Sequence, residues 1–296
     1  YSQGLELTGR EPSAKRLEFL LGRAEARFGL LEINGAHANV EEAIRTADAL
    51  GDRLGRTRAC LVAGEIIRRK GDMELAVRTL EGALADFREL GDRPGEAEAL
   101  RLIGIARQYQ RHFVEAEAST SAALAIFQEL DDPRGAAWAL QNLAWISYLG
   151  GRVAEAEKRI DASASAFVQL GDTGGLSWAN ALLAFTRFHQ GRLVEAEGLA
   201  EEILPDARVR GDRFGEGLML LLTAVVRLWS GRTQAAIERA EEAKGHYARV
   251  GDPVGQLQAQ AALGRALVAA GEIRPGFAAL EEAFEFPARV NPPRGA

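Results

Sequence analysis

Cysteine occurs once in this 296-residue chain, at Cys60. A lone cysteine excludes an internal disulfide framework and any cysteine-based metal cluster. Lysine is scarce too: among 36 basic residues only Lys15, Lys70, Lys158 and Lys244 are not arginine. With abundant alanine and glycine, this is the composition expected of a GC-rich bacterial genome. No apolar run approaches the roughly 18 residues of a membrane span, so no membrane helix is expected. An excess of positive charge is also missing. The net charge of −6 argues against nucleic acid as a direct partner, because phosphate neutralisation needs a basic surface. Tyr1 is not an initiator methionine, and Tyr1–Arg10 lacks a charged-then-apolar signal pattern, so the chain reads as a piece of something longer. What is present is ordinary for a folded protein, 47% hydrophobic and 26% charged residues, which excludes a disordered chain.

The informative feature is a period. Leu90-Gly91-Asp92-Arg93-Pro94-Gly95 has counterparts beginning at Gly51-Asp52, Asp131-Asp132, Gly171-Asp172, Gly211-Asp212 and Gly251-Asp252, always 40 residues apart. A second mark keeps the same phase at Gly71, Arg111, Gly151, Gly191, Gly231 and Gly271. A glycine after an amphipathic run ends a helix in the left-handed conformation. The aspartate after it is a good N-cap for the next helix, and Pro94, Pro133 and Pro253 fall in the first turn, where a missing N–H does no harm. Each period therefore predicts helix, turn, helix, turn. Asp131 and Arg111 replace glycine at a local cost of about 1 kcal/mol for arginine. Small residues recur at Gly64, Gly104, Ala144, Ala184, Ala224 and Gly264 in the first helices. In the second helices they recur at Ala76, Ala116, Ala156, Ala196, Ala236 and Gly276, where they let paired helices approach. One such pair cannot bury its apolar face alone, so the pairs must stack. The expectation is an all-α solenoid of about fourteen helices spanning residues 1–290. Its repeats lie near 12–50, 51–90, 91–130, 131–170, 171–210, 211–250 and 251–288. The first pair is expected to be irregular, with its turn displaced to Asn34-Gly35, and residues 291–296 to form a frayed tail.

At these residues the chain resembles the tetratricopeptide repeat (TPR) family in its 40-residue variety, over about residues 12–288. Leu143-Ala144, Ala156 and Ser163 stand where that family places Leu-Gly, Ala and Ala. The large aromatic of the first helix is replaced by Leu100, Leu140, Asn180 and Leu220; aromatics stand instead late in the second helix, as Phe87, Phe127, Phe167 and Tyr247. The resemblance implies a right-handed superhelix whose first helices line a concave groove.

Sequence motifs for catalysis are lacking: there is no Walker A loop, HExxH or G-x-S-x-G. His37, His112, His189 and His246 lie in different repeats, and no two have the spacing of a helical metal site. No catalytic residue, metal site or cofactor is therefore expected. Cys60 reads as a small core residue, and His112 as a solvated turn residue. The acid pairs Glu41-Glu42, Glu115/Glu117, Glu201-Glu202 and Glu281-Glu282 read as a solvated outer face.

Counting the small first-helix residue as position 8, positions 2, 5, 9, 12 and 13 form one helical stripe. The candidate binding residues on it are Arg58, Arg68, Arg69, Arg101, Gln108, Tyr109, Trp138, Gln141, Trp145, Tyr148, Trp178, Phe185, Phe188, His189 and Trp229. All four tryptophans of the chain fall there. Two readings are open: the aromatics pack only against neighbouring repeats, or they form an apolar groove with a polar rim. The arginines could hold an acidic group or form a solvated face. With Leu20-Leu21-Gly22-Arg23-Ala24-Glu25-Ala26 as an array-opening helix, the chain is similar to C-terminal regions of bacterial multidomain signalling proteins carrying nucleotide-cyclase or signalling-ATPase modules. That resemblance implies a cytoplasmic scaffold or sensor gripping a peptide or protein segment. The alternative is a small-effector sensor like that of the maltose-type transcription activators; an enzyme lobe ranks third.

Overall fold

Every turn between helices is closed by a residue in the left-handed region. The computed structural model describes residues 1–9 and 11–290, with side chains to Phe284; the expected tail 291–296 lies outside the described residues. Fifteen α-helices follow one another among them: α1 (Ser2–Leu7), α2 (Ala14–Gly29), α3 (Ile33–Leu50), α4 (Arg53–Arg69), α5 (Met73–Leu90), α6 (Arg93–Tyr109), α7 (Phe113–Glu129), α8 (Pro133–Leu149), α9 (Val153–Leu170), α10 (Thr173–His189), α11 (Leu193–Arg210), α12 (Arg213–Trp229), α13 (Thr233–Val250), α14 (Pro253–Ala269) and α15 (Ile273–Val290). No strand occurs among the described residues. Seven helix pairs are thus present, α2 to α15, and the architecture is an α-solenoid.

Two expectations need correction. The count is fifteen because α1, a six-residue helix, precedes the first pair; Leu5 fastens it to Leu17 and Leu20. The first pair is also regular. Its turn runs through Leu30–Glu32, with Leu31 at φ 60, in phase with Gly71 and Arg111, and not through Asn34-Gly35, which lies inside α3. Glu32 donates its backbone N–H to the Arg27 carbonyl, as His112 does to Arg107. The loop therefore closes by the same bonds without a glycine. Leu31 stays because its side chain is buried; burying a leucine outweighs the roughly 1 kcal/mol of left-handed strain. Arg111 (φ 64) and Asp131 (φ 52) take the strained positions the period predicts.

From α4 onward the turn that opens each first helix is capped through one glycine, and at four of the six that glycine does a second job. Asp92 caps α6 by accepting the Gly95 N–H at 3.1 Å. The same contact recurs from Asp52 to Gly55, Asp132 to Gly135, Asp172 to Gly175, Asp212 to Gly215 and Asp252 to Gly255. That glycine is also where the aromatic of the preceding second helix lands. A Cβ on Gly95 would lie 2.4 Å from Phe87 Cδ1; on Gly135, 2.3 Å from Phe127; on Gly175, 2.2 Å from Phe167; on Gly255, 2.2 Å from Tyr247. Phe87, Phe167 and Tyr247 are among the largest fully buried side chains of the protein. The rings are absent at two seams, where Ala47 precedes Gly55 and Ala207 precedes Gly215. Helix α11 also contains Pro205, which cannot donate the usual bond to the carbonyl four residues back. Within pairs, Gly104 meets Thr120: a Cβ there would stand 2.1 Å from the Thr120 hydroxyl oxygen.

Packing divides the chain into two compact units, Tyr1–Ala179 and Asn180–Ala296. In the first, Leu80, Phe87, Leu100, Ile103 and Phe127 share one core. In the second, Leu204, Met219, Leu220, Leu222 and Tyr247 do so. Ion pairs tie the second helices to one another and to neighbouring turns and first helices. Glu117 accepts from Arg152 at 2.6 Å and also from Arg159. Glu201 accepts from Arg227 at 2.9 Å and Arg239 at 2.7 Å. Glu42 pairs with Arg16. The acid pairs are therefore not merely a solvated face: one member of three of them holds an arginine from another helix.

Glu96 is nearly buried between Arg88, at 2.8 Å, and Arg93, at 2.6 Å. Burial would raise its carboxyl pKa, but the hydrogen bonds of the two guanidiniums outweigh this and hold it below the ordinary range. Glu197 is held low in the same way by Arg232 and Arg227. A depressed carboxylate stabilises the fold above its unfolded pKa and loses that contribution as pH falls through the folded value. Melting temperatures should therefore drop on acidification below about pH 4, and the acid-side drop should be smaller in Glu96→Gln. Equal drops in the two proteins would show that Glu96 carries none of it.

The aromatic notch yields a second expectation. Gly95→Ala should lower stability by about 1–3 kcal/mol through overpacking against Phe87. Gly82→Ala, at a helical site with nothing within 4 Å of the new Cβ, should raise it by about 0.5–1 kcal/mol. Urea denaturation midpoints of the two variants measure both effects.

Candidate functional site

The stripe is a consequence of where the core takes its aromatics. Second helices supply the buried rings, so the first helices close with small residues, and their larger side chains stand on the other side. None of the four tryptophans is buried: Trp138, Trp145 and Trp178 are half-buried, and Trp229 is 72% exposed.

In the unit Tyr1–Ala179 the stripe runs over α4, α6, α8 and the start of α10. Trp138 sets its ring edge-on to Phe167, centroids 5.0 Å apart, and belongs to the cluster of Ala137, Phe167 and Ala179. Trp145 meets Tyr148 edge-on at 5.8 Å; burial pushes the Tyr148 phenol pKa up. Gln141 is buried, and its role is structural: its Nε2 donates to the Trp178 carbonyl at 3.0 Å, and its Oε1 accepts from the Ser163 hydroxyl at 2.9 Å. Gln108 is buried as well, whereas Tyr109 is exposed.

The four arginines of the stripe each have a partner nearby. Arg58 reaches Asp92 at 3.4 Å. Arg68 lies 3.4 Å from Glu65 and 5.4 Å from the Tyr109 ring centroid; its buried Nε has no hydrogen-bond partner. Arg69 stands 5.8 Å from the Phe28 centroid. Arg101 makes two bonds to Glu98, one of them 2.7 Å. Burial draws the Arg101 pKa down, but the Glu98 carboxylate outweighs it and raises the value. The stripe's arginines are thus largely matched by the chain's own acids.

Beside this pair lies a cavity of about 370 Å³, lined by Glu98, Arg101, Phe127, Asp132, Arg134, Gly135 and Trp138. It opens at the seam between α6 and α8. A second, of about 380 Å³, occupies the equivalent seam between α2 and α4, lined by Glu18, Leu21, Asp52, Gly55 and Arg58 among others. Both fall at position 2 of one first helix and the Asp-x-x-Gly turn of the next. Glu98, at position 2 of the stripe, and Arg134 line the first cavity without being among the candidate binding residues. Arg134, the second residue of α8, lies four residues before Trp138 and so on the same side of the helix; extending the stripe by one turn reaches it.

In the unit Asn180–Ala296, Phe188 lies edge-on to Trp229 at 6.2 Å and to His189 at 5.4 Å. Phe185 is half-buried against the core that includes Ala181 and Leu222, and its carbonyl oxygen is 3.2 Å from His189 Nδ1. The other histidines are dispersed. His246 is buried, its Nε2 donating to the Arg213 carbonyl at 2.7 Å, and His112 is an exposed N-cap. Cys60 is half-buried against the first core, and burial raises its thiol pKa. Among the described residues no group of three or more His, Cys, Asp or Glu side chains could hold a metal ion. No helix among them is long and apolar enough to cross a membrane.

Stability separates the structural members of the stripe from the rest. Gln141→Leu should lose about 1–3 kcal/mol, because it leaves the Trp178 carbonyl without its donor. Trp145→Ala should lose less than the roughly 3–5 kcal/mol of a buried tryptophan truncation. Denaturation midpoints compare them directly; a loss of roughly 3–5 kcal/mol at Trp145 would make it a core residue.

No protein-family model matches the chain, and no curated protein matches it. Solved structures do. A Rap protein complexed with competence and sporulation factor is 12% identical, with a TM-score of 0.76, over 94% of this chain and 76% of that one. A STAND (Signal Transduction ATPase with Numerous Domains) protein with a tetratricopeptide repeat sensor from Pyrococcus horikoshii is 16% identical, TM-score 0.63. It covers 93% of this chain, which spans only 44% of that protein. TPR-like repeats of a putative kinesin light chain from Podosopora anserina are 18% identical, TM-score 0.51, over 67% of this chain and 97% of that one. Identities this low speak for the fold alone: the chain has the α-solenoid fold of TPR-like arrays.

Proposed function

We propose that this chain is a non-catalytic recognition module that binds a peptide or protein segment along its first-helix stripe. The observation that carries the reading is the sorting of aromatic side chains. Core rings come from second helices, while Trp138, Trp145 and Trp178 keep exposed surface on one layer of a single unit, and Tyr109 of the same stripe is exposed. Half-exposed tryptophans ringed by polar side chains are the usual anchors of protein recognition. The Rap neighbour complexed with competence and sporulation factor and another Rap regulator in complex with the Phr* peptide support a peptide as the occupant. The STAND neighbour with its tetratricopeptide repeat sensor supports a sensor role in signalling or regulation; the bacterial, cytoplasmic setting of the reading rests on composition and family resemblance.

The cavity beside Trp138 supports a second reading, a small effector. About 370 Å³ is within the range of small-molecule sites, and Glu98, Arg101 and Arg134 supply polar groups of both signs.

The two readings part in one experiment. Random peptides displayed on phage are selected against the intact chain, and the enriched peptides are titrated into variants. On the peptide reading, Trp145→Ala weakens binding by about 2 kcal/mol or more, while Val114→Ser, on an exposed site of α7, leaves it unchanged. Enriched peptides that bind Trp145→Ala as well as the parent would sink the peptide reading. A metabolite screen by thermal shift, with hits erased by Trp138→Ala, would favour the effector.

A further inference from the structure

The aspartates that cap the first helices from α4 onward each give one carboxylate oxygen to the turn. At two seams an arginine of the preceding first helix stands against the other oxygen. Arg58 of α4 reaches Asp92 Oδ2 at 3.4 Å, and Arg134 of α8 reaches Asp172 Oδ2 at 3.2 Å. The seam between α6 and α8 lies between these two, and there α6 has no arginine to give. One period after Arg58 stands Glu98, and one period before Arg134 stands Pro94. Asp132 accepts the Gly135 N–H at 2.9 Å through Oδ1, and among the described residues no ion pair holds its Oδ2. Gly135 leaves that oxygen uncovered, since a Cβ there would stand 2.6 Å from it. In place of a guanidinium this seam holds the cavity of about 370 Å³. The two arginines on its wall are engaged elsewhere, Arg101 by Glu98 and Arg134 by Asp172. Trp138 also lines it, and tryptophan is the ring that best attracts a cation. The seam between α2 and α4 repeats the arrangement. Glu18 and Ala14 stand at the two arginine positions, and the second cavity lies against Asp52.

We propose that the cavity between α6 and α8 receives the cationic side chain of an arginine or lysine carried by the bound segment. The incoming group occupies the place that Arg58 and Arg134 take at the neighbouring seams. It pairs with Asp132 Oδ2 and packs against Trp138. The inference rests on the peptide reading and adds a sequence requirement to it, one basic residue seated beside Trp138. A carboxylate in the same place would face Asp132 and Glu98, so acidic residues are rejected there.

The test uses N-acetylarginine amide and its uncharged counterpart N-acetylcitrulline amide. Each is titrated into the isotope-labelled intact chain while the indole N–H resonances of the four tryptophans are followed. The Trp138 resonance should shift with the arginine compound and not with the citrulline compound, and Trp229 should stay still. Asp132→Asn keeps a good helix cap and should abolish the shift. Glu98→Arg, which sets an arginine where Arg58 stands one period earlier, should abolish it too. Peptides selected by phage display on the parent should contain arginine or lysine and lose about tenfold or more in affinity when that residue becomes norleucine. Equal shifts from both compounds, or a shift that survives Asp132→Asn, would overturn the proposal. Selected peptides that bind without a basic residue would overturn it and leave the peptide reading standing. No selected peptide at all, with N-acetylarginine amide still bound, would end the peptide reading and with it the assignment to a peptide side chain, in favour of a free cation.

Discussion

One glycine per period carries the architecture. It gives its N–H to the aspartate that starts the first helix, and its missing Cβ leaves the notch for the ring at the end of the helix before. Cap and seam are thereby coupled. A side chain at Gly95, Gly135, Gly175 or Gly255 would push the ring out and shift the helix start that the aspartate holds. This contact fixes the turn between successive pairs, and the remaining packing, small residue against small residue, follows from it.

The same contact explains why the stripe has the composition it has. With the rings of Phe87, Phe127, Phe167 and Tyr247 placed on second helices, the first helices need only small and aliphatic residues to close the core. Their opposite side is free to carry tryptophan and tyrosine without loss of packing. Charge is sorted too. Arginines of the second helices and turns, Arg152, Arg159, Arg232 and Arg239, are held by Glu117, Glu197 and Glu201, whereas those of the stripe meet Glu65, Asp92 and Glu98. Neither layer offers a strongly basic surface, in keeping with the net charge of −6.

Features governed by local rules were legible in the sequence. Left-handed glycines and capping aspartates act over a few residues, so a 40-residue spacing placed the helix ends, including the strained Arg111 and Asp131. Leu31 was not legible as the end of α2, because its left-handed conformation is held by burial of a leucine, a tertiary effect with no local mark. Helix α1 was missed for a similar reason: six residues show no periodicity, and Leu5 is fixed by contacts with α2. On the stripe, helical spacing found the row but could not tell Gln141, locked to Ser163 and the Trp178 carbonyl, from Trp145 one turn on. The acidic residues were misread because the arginines that bind them lie up to 42 residues away, as between Glu117 and Arg159.

The two ringless seams give the array an internal grain. A stack in which each pair touches only its neighbours behaves as a linear lattice, its stability a sum of units and of bonds between them. Most bonds here contain an aromatic lock; those at Ala47–Gly55 and Ala207–Gly215 do not, and the second adjoins a helix interrupted by Pro205. Opening within each unit will begin at its ringless seam, and the locked seams will part last. The lattice therefore has built-in places to yield, set by the absence of one benzene ring.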